Sequence, residues 1–482
     1  MQVGLVNWTG GFLTCECYGD GVSVLGSSLG KKQTWRLTTE PGKQDLVALV
    51  GHHGQPLLAE ADGTVRCGRP AAEQQSRFLL DILLSGAWTL QQPESRKFLE
   101  SDGEDVFCVA RGRTARHLWM SQLAEHVHVA LFSPGSRLYA RTDPELSRVW
   151  VDAPVPYLEE CGFLLRFQKG ACHLETSTGQ FVSRAEKLAP GPSADTAFHL
   201  TLKPGCLASL ADVEEGRVLY PQGSRGLLCL GDRPERDKEW FLIQRCPPWV
   251  SLRTRAHRFL SIVSDSQVYA GLKKPSPMSM FLFEMDSSTQ TVQLKGLHHK
   301  YLVQRPCQGV LANGAAKEAE THFQVLWHCG RVFLRAPGGC FLGTLPVGLL
   351  VARARHPGPN EEFVLRFANR SFLVLRGHYG YVGSSPGRET LQGNLLQPEP
   401  VEILPCKHGV YHLQSRGKSF WALTPERTFS PWGKAALNFY LEIQGSHLLA
   451  IVAPNGCYVR GDREGCLVAD SEQRARDCLW EF

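Results

Sequence analysis

The 482-residue chain has 52 Lys and Arg against 47 Asp and Glu, a net charge of +5, with 43% hydrophobic and 21% charged residues. That is the composition of an ordinary globular protein several domains long, and it excludes a disordered chain. The small positive excess is spread thinly, so it gives no argument for a nucleic-acid partner and suits weak attraction to an acidic surface.

Sixteen cysteines are scattered along the chain, many inside strand patterns (Cys15, Cys108, Cys329, Cys478). No CxxC occurs, and Cys15-Glu-Cys17 has no companion pair, so neither a zinc site nor any other metal or cofactor is expected. The opening MQVGLVNWTGGFL has no basic n-region and no long apolar h-region, so no signal peptide is expected. Reduced thiols follow from that, and the sequons at Asn7-Trp8-Thr9 and Asn369-Arg370-Ser371 read as chance. No run approaches the roughly 18 apolar residues of a membrane span.

In chain order, one signal recurs. An aromatic-aliphatic pair appears at Phe12-Leu13, Leu57-Leu58, Phe98-Leu99, Tyr139-Ala140, Phe181-Val182 and Leu219-Tyr220. It continues at Phe259-Leu260, Tyr301-Leu302, Phe341-Leu342, Tyr381-Val382, Phe420-Trp421 and Tyr458-Val459, always 38 to 45 residues on. A closing aromatic follows most pairs, as at Trp35, Trp119, Trp240, Phe323, Phe363 and Trp480. The best-formed unit, Arg331 to Phe367, alternates with period two and is punctuated by Gly and Pro. A hairpin unit of this size cannot bury its apolar face alone, so the copies must pack together.

The twelve units of about 40 residues group in threes, because similar openings recur before Phe12, Tyr139, Phe259 and Tyr381, at intervals of 127, 120 and 122 residues. Three hairpin units about a pseudo-threefold axis make a β-trefoil, whose closed barrel leaves no sheet edge exposed. The predicted fold is therefore all-β: four tandem β-trefoils over 1–123, 124–245, 246–368 and 369–482. Ala115–Ser121, Glu318–His322 and Pro400–Pro405 read as helical turns without a sustained period.

Short motifs that suggest chemistry do not survive their context. Gly383-Ser384-Ser385-Pro386-Gly387 has the spelling of a nucleophile elbow, but the elbow needs a following helix and a β unit follows here. Gly417-Lys418-Ser419 lacks the first glycine of a phosphate loop, whose place is taken by His412. His126 and His128 share a strand face without a legible third ligand, and His52-His53 and His298-His299 fall in solvated turns. Gln33-Thr34-Trp35 matches the QxW element of ricin-type lectin trefoils once, so the tryptophans read as core plugs. An enzyme is not expected, and a carbohydrate-binding trefoil module is the alternative from another class. The most pointed local signal is Ser27-Ser28-Leu29-Gly30-Lys31-Lys32-Gln33, a basic loop that phosphorylation of Ser28 would oppose with about −2 of charge.

The four trefoils, the opening GLVN…FLT, the loop SSLGKKQTW, the segment NRSFLVLRGHYGYVG and the ending LWEF together resemble the fascins along the whole chain. Within that family the likeness is strongest to the testis-type branch, as in VHVALFSP, WVDAPVPYLEECGFLL and CPPWVSLR. The resemblance implies a monomeric, cytoplasmic protein that binds filamentous actin and bundles it, with germ-cell actin structures as its setting. It also implies a filament face in the cleft between the first and fourth trefoils. Matched position by position, that face includes Lys31, Lys32, Arg370, Arg376 and Arg460, and Ser28 stands at the family's phosphorylated serine. Gly11, Gly30, Ser385 and Pro386 stand where the family carries cations, and His378-Tyr379 replaces its acidic-histidine pair. At roughly 0.5 kcal/mol for each exposed contact, four lost cations weaken binding by about 2 kcal/mol, some thirtyfold. A fascin-fold scaffold with weakened or lost bundling is therefore the second expectation.

Overall fold

The computed structural model describes every residue except 17–18, 41, 84, 111, 113, 169, 233–236 and 306–308, so Cys17 lies outside the described residues. Among the described residues there are strands and short 3₁₀ turns but no α-helix, and no helix is long and apolar enough to cross a membrane. The chain forms two compact units. The first holds Met1–Pro154 and Phe163–Gln244, and the second holds Val155–Gly162 and Arg245–Phe482.

The second unit shows most plainly how the repeats close. Trp249–Thr254 pairs with Phe281–Asp286, which pairs with Thr291–Gly296, then in turn with Phe323–His328, Arg331–Arg335 and Phe363–Phe367. Phe363–Phe367 pairs back onto Trp249–Thr254, so six strands make a closed barrel. Three hairpins cap it: Phe259–Ile262 with Val268–Leu272, Tyr301–Arg305 with Gly309–Gly314, and Phe341–Thr344 with Leu350–Ala354. This is a β-trefoil. A second one follows. Phe372–Val374 pairs with Pro400–Pro405, and the ladder runs on through Val410–Gln414, Phe439–Gly445, Leu448–Val452 and Leu479–Glu481. A bridge from Glu481 to Arg376 completes the ring. One apolar core runs from Val250 to Phe482 through both barrels.

The first unit repeats the plan. Gln2–Val6, Trp35–Glu40, Lys43–Val50, Phe78–Ile82 and Trp88–Gln91 pair in series, and Met120–Leu123 returns to Gln2–Val6. The strands from His128–Ser133 to Phe241–Arg245 form a further twelve-stranded sheet.

The recurring pair has a mechanical reason. A strand points successive side chains to opposite faces, yet Phe98 and Leu99, Phe259 and Leu260, and Phe341 and Leu342 are all buried. The ladder shifts register between the two residues of each of these pairs. That bulge bends the capping hairpin over the barrel mouth and turns both side chains inward. The aliphatic member is the deeper plug, with no measurable exposure at Leu13, Leu99, Leu302 and Val459. The closing tryptophan then locks the bulge. Trp35 Nε1 donates to the Leu13 carbonyl at 2.8 Å, Trp119 to that of Leu99 at 3.2 Å, and Trp480 to that of Val459 at 3.0 Å. Each of these tryptophans is fully buried, which contributes about 2–3 kcal/mol apiece and leaves no indole N–H unsatisfied.

Some expectations change. Pro400–Pro405 is a strand, not a helical turn, because Val401 and Ile403 face the core in alternation between the two prolines. In the sixth unit the buried pair is Val218-Leu219 and Tyr220 is half-exposed, in a ladder without a register shift. Ala115–His117 and Ala319–Thr321 are single 3₁₀ turns. The two sequon asparagines are buried, Asn7 accepting from the Gly11 amide and Asn369 from that of Trp249.

Candidate functional site

Lys31 and Lys32 open a 3₁₀ turn, Lys31–Gln33, in the first unit. The turn is rigid because its neighbours satisfy it: Gln33 Oε1 accepts from the Gly30 amide, Gln33 Nε2 donates to Thr14, and Thr34 Oγ1 donates to the Gly30 carbonyl. Lys31 is exposed and Lys32 half-buried, and neither has an ion-pair partner among the described residues. Ser28 is half-buried three residues upstream.

Sequence reasoning missed two neighbours of this turn. His52 and His53 lie with ring centroids 3.7 Å apart in the Gly51–Gly54 turn. Burial holds the His52 pKa below the ordinary imidazole value, and the nearby His53, Lys31 and Lys32 push it the same way. The loop is thus a four-membered basic cluster in which His52 stays neutral at physiological pH. Only their paired spelling marks these histidines in the sequence.

The three arginines belong to the second unit and gather at its C-terminal strand. Arg376 exchanges backbone hydrogen bonds with Glu481 at 2.9 Å in both directions, and its guanidinium lies 5.7 Å from the Tyr381 ring. Arg460 follows Val459, which accepts the Trp480 indole. Its guanidinium is clamped bidentately by Asp470, at 2.8 and 2.6 Å, with Asp477 at 3.9 Å. The Asp470 hydrogen bond raises the Arg460 pKa and lowers that of Asp470. Arg460 therefore carries a locally neutralised charge.

Arg370 is placed differently from the expectation of a surface cation. It is 4% exposed. Its guanidinium stacks over the rings of Phe482 and Phe367, at 4.7 and 5.5 Å, and Nη2 donates to the Cys246 carbonyl at 2.9 Å. Nε and Nη1 have no partner among the described residues, and burial, reinforced by Arg245, pushes its pKa down to about 10. A side chain held this way acts on its surroundings from within.

The positions read as missing cations also have a structural account. At Gly11 a Cβ would meet the Val24 carbonyl oxygen at 2.1 Å, so any side chain there forces the backbone to move. At Gly30 the one close atom is Gln33 Oε1 at 3.0 Å, the end of a flexible side chain. Ser385 and Pro386 sit in an open turn closed by the Arg388 amide on the Ser385 carbonyl at 3.0 Å. That turn follows strand Tyr381–Gly383 with no helix behind it, so Ser384 is no elbow nucleophile; it is hydrogen-bonded to Glu399 at 3.1 Å. His126 and His128 are buried, and no cluster of three metal-binding side chains occurs among the described residues.

The class of protein is set by these features: an all-β chain of tandem trefoils that presents basic turns. The model of the Fascin domain matches residues 9–119 and 273–365. Fascin-3 of Mus musculus is 49% identical over 484 aligned residues, covering 100% of this chain and 97% of the relative, and Fascin-2 of Bos taurus is 31% identical, covering 100% and 98%. Among solved structures, the designed threefold-symmetric protein ThreeFoil matches 25% of this chain and 99% of its own, at 24% identity and a TM-score of 0.23. The chain belongs to the fascin family.

Proposed function

We propose that this chain binds actin filaments and cross-links them into bundles as a cytoplasmic monomer, in the germ-cell setting that the testis-type resemblance implies. The observation that carries this reading is full-length family membership combined with a rigid turn whose Lys31 and Lys32 are unpaired among the described residues. Filaments are polyanionic, and unpaired lysines on a fixed turn attract them at low ionic strength. In this reading Lys31 and Lys32 of the first unit and Arg376 of the second each meet the filament, Arg460 contributes through its Asp470 pair, and Arg370 supports the second unit's contact from beneath. Phosphorylation of Ser28 adds about −2 of charge beside the lysines and weakens binding.

Low-speed co-sedimentation with filamentous actin across a salt series tests the proposal. Bundles pellet at low salt and are lost as salt rises, and Lys31→Glu with Lys32→Glu abolishes pelleting. Filaments that stay unbundled at low salt overturn it.

A second reading has its own support. With Arg370 buried and Arg460 clamped by Asp470, two of the five matched cations are held within the fold, which favours a scaffold of the same fold with weakened bundling. Under that reading, filament association is weak and insensitive to the two lysine substitutions.

A further inference from the structure

The hairpin joining Pro400–Pro405 to Val410–Gln414 carries a cluster that filament binding does not use. It is closed by the Cys406 amide donating to the Val410 carbonyl at 2.8 Å, across a turn in which His408 takes a φ of +58°. Leu404 and His412 are cross-strand partners, which brings the His412 ring beside the next side chain on that face, Cys406. Cys406 Sγ lies 3.4 Å from His412 Nδ1 and 3.5 Å from Nε2. Asn438 Oδ1 lies 3.3 Å from Nε2, and the edge of Phe420 packs against the ring with centroids 6.1 Å apart.

Sγ thus lies against the imidazole, nearly equidistant from its two nitrogens, and also within 3.6 Å of the Leu404 carbonyl; an Nε2–H donated to Asn438 leaves Nδ1 as the ring's proton acceptor. Nucleophile, base and orienting amide thus stand in series. The Arg366 guanidinium donates to the Cys406 carbonyl at 3.1 Å and fixes the backbone that carries the thiol. Cys406 is half-buried and reachable by a small molecule. Many of the other cysteines are buried, among them Cys15, Cys108, Cys172 and Cys246. Cys329 is exposed beside His328 at 3.7 Å, and no hydrogen bond holds the His328 ring on its far side among the described residues.

We propose that Cys406 is a reactive thiol among the described residues, a stoichiometric modification site for low-molecular-weight disulfides in which His412 is the base and Asn438 positions it. The thiol proton passes to His412 Nδ1. The Cys406 sulfur attacks one sulfur of the incoming disulfide, forming a new S–S bond as the old one breaks. The departing thiolate takes the proton from the imidazolium. One protein thiol is oxidised to a mixed disulfide, half of the reagent is reduced to a free thiol, and no further oxidant is needed.

The test uses the full chain with glutathione disulfide as the probe, followed by mass mapping of every cysteine peptide against time. Cys406 acquires the tripeptide first, and Cys406→Ser removes the fast phase. His412→Ala slows modification by about tenfold or more, and added free imidazole restores the rate, which a merely structural role of His412 would not allow. Asn438→Ala gives an intermediate rate. The proposal is overturned if Cys329 or another cysteine reacts first, if His412→Ala reacts at the wild-type rate, or if imidazole fails to rescue it. Actin is absent from these measurements, so their outcome is independent of the filament proposal.

Discussion

The Arg370 guanidinium sits 4.7 Å above the ring of Phe482, buried in the second unit, with one hydrogen bond among the described residues, to the Cys246 carbonyl. A buried cation lacking a carboxylate partner costs desolvation energy that ring stacking only partly offsets. Arg370→Met keeps the volume and removes the charge, so stability stays within about 1 kcal/mol of wild type or rises. Arg370→Ala opens a cavity between two rings and loses about 2–4 kcal/mol. Urea unfolding of the two variants separates these outcomes. Co-sedimentation of Arg370→Met decides the functional point. Binding is retained if Arg370 supports the face from within and lost if its charge meets the filament.

His447 makes the stability of the second unit pH-dependent. Burial, with help from Arg245 and Arg370, pushes its pKa down to about 4. In the unfolded chain a histidine titrates near 6.5. Between those values the unfolded state binds a proton that the folded state refuses, so stability falls as pH drops from about 6.5 to about 4. The full difference is on the order of 3 kcal/mol. His52 and His173, whose pKa values are also lowered by burial, act with the same sign. His447→Gln isolates the larger effect: its unfolding free energy shows a shallower decline across that window, and an unchanged slope would refute the assignment.

Much of the fold can be read from the residues, because the devices that shape a trefoil are local. A hairpin cap needs an inward aromatic-aliphatic pair, and that pair is visible as Phe341-Leu342 or Tyr458-Val459. What period-two reasoning misses is the bulge that lets both members turn inward, since a bulge leaves no fixed spelling. The bulge is not the only route: Leu57-Leu58 is fully buried in a regular ladder, while in the sixth unit the buried pair is Val218-Leu219. The site was less legible. Its lysines stand on a local turn, but the fate of Arg370 depends on Phe482, over a hundred residues away in sequence, and that of Arg460 on Asp470 across a hairpin. Cys406, His412 and Asn438 meet only through strand pairing, which the sequence does not spell.

The closing tryptophans give a direct test of the cap mechanism. Trp35→Phe leaves the Leu13 carbonyl buried without its indole donor and trims the core. The expected loss is about 2–4 kcal/mol, of which a lost buried hydrogen bond accounts for roughly 1–3. Calorimetric unfolding of Trp35→Phe and Trp480→Phe checks it. Because Trp35 and Trp480 lie in different units, the double variant should lose the sum of the two single effects.

Gly11 and Gly30 both stand where cations were expected, yet the backbone treats them in opposite ways. The Gly11 amide is held at 2.7 Å by Asn7 Oδ1, and a Cβ would press on the Val24 carbonyl at 2.1 Å. Gly11→Lys must therefore displace the hairpin, and it destabilises the chain by about 1–3 kcal/mol, so that any gain in charge is masked. Gly30 has extended backbone with φ −115°, and only Gln33 Oε1 approaches its Cβ position. Gly30→Lys needs one amide side chain to move, so the melting temperature stays nearly unchanged. On the filament reading it adds an exposed contact worth roughly 0.5 kcal/mol, about twofold in affinity, and an additive gain with Ser385→Arg. Thermal unfolding beside co-sedimentation resolves the two positions. If Gly30→Lys folds normally and leaves filament affinity unchanged at low salt, the basic turn does not meet the filament, and the scaffold reading takes its place.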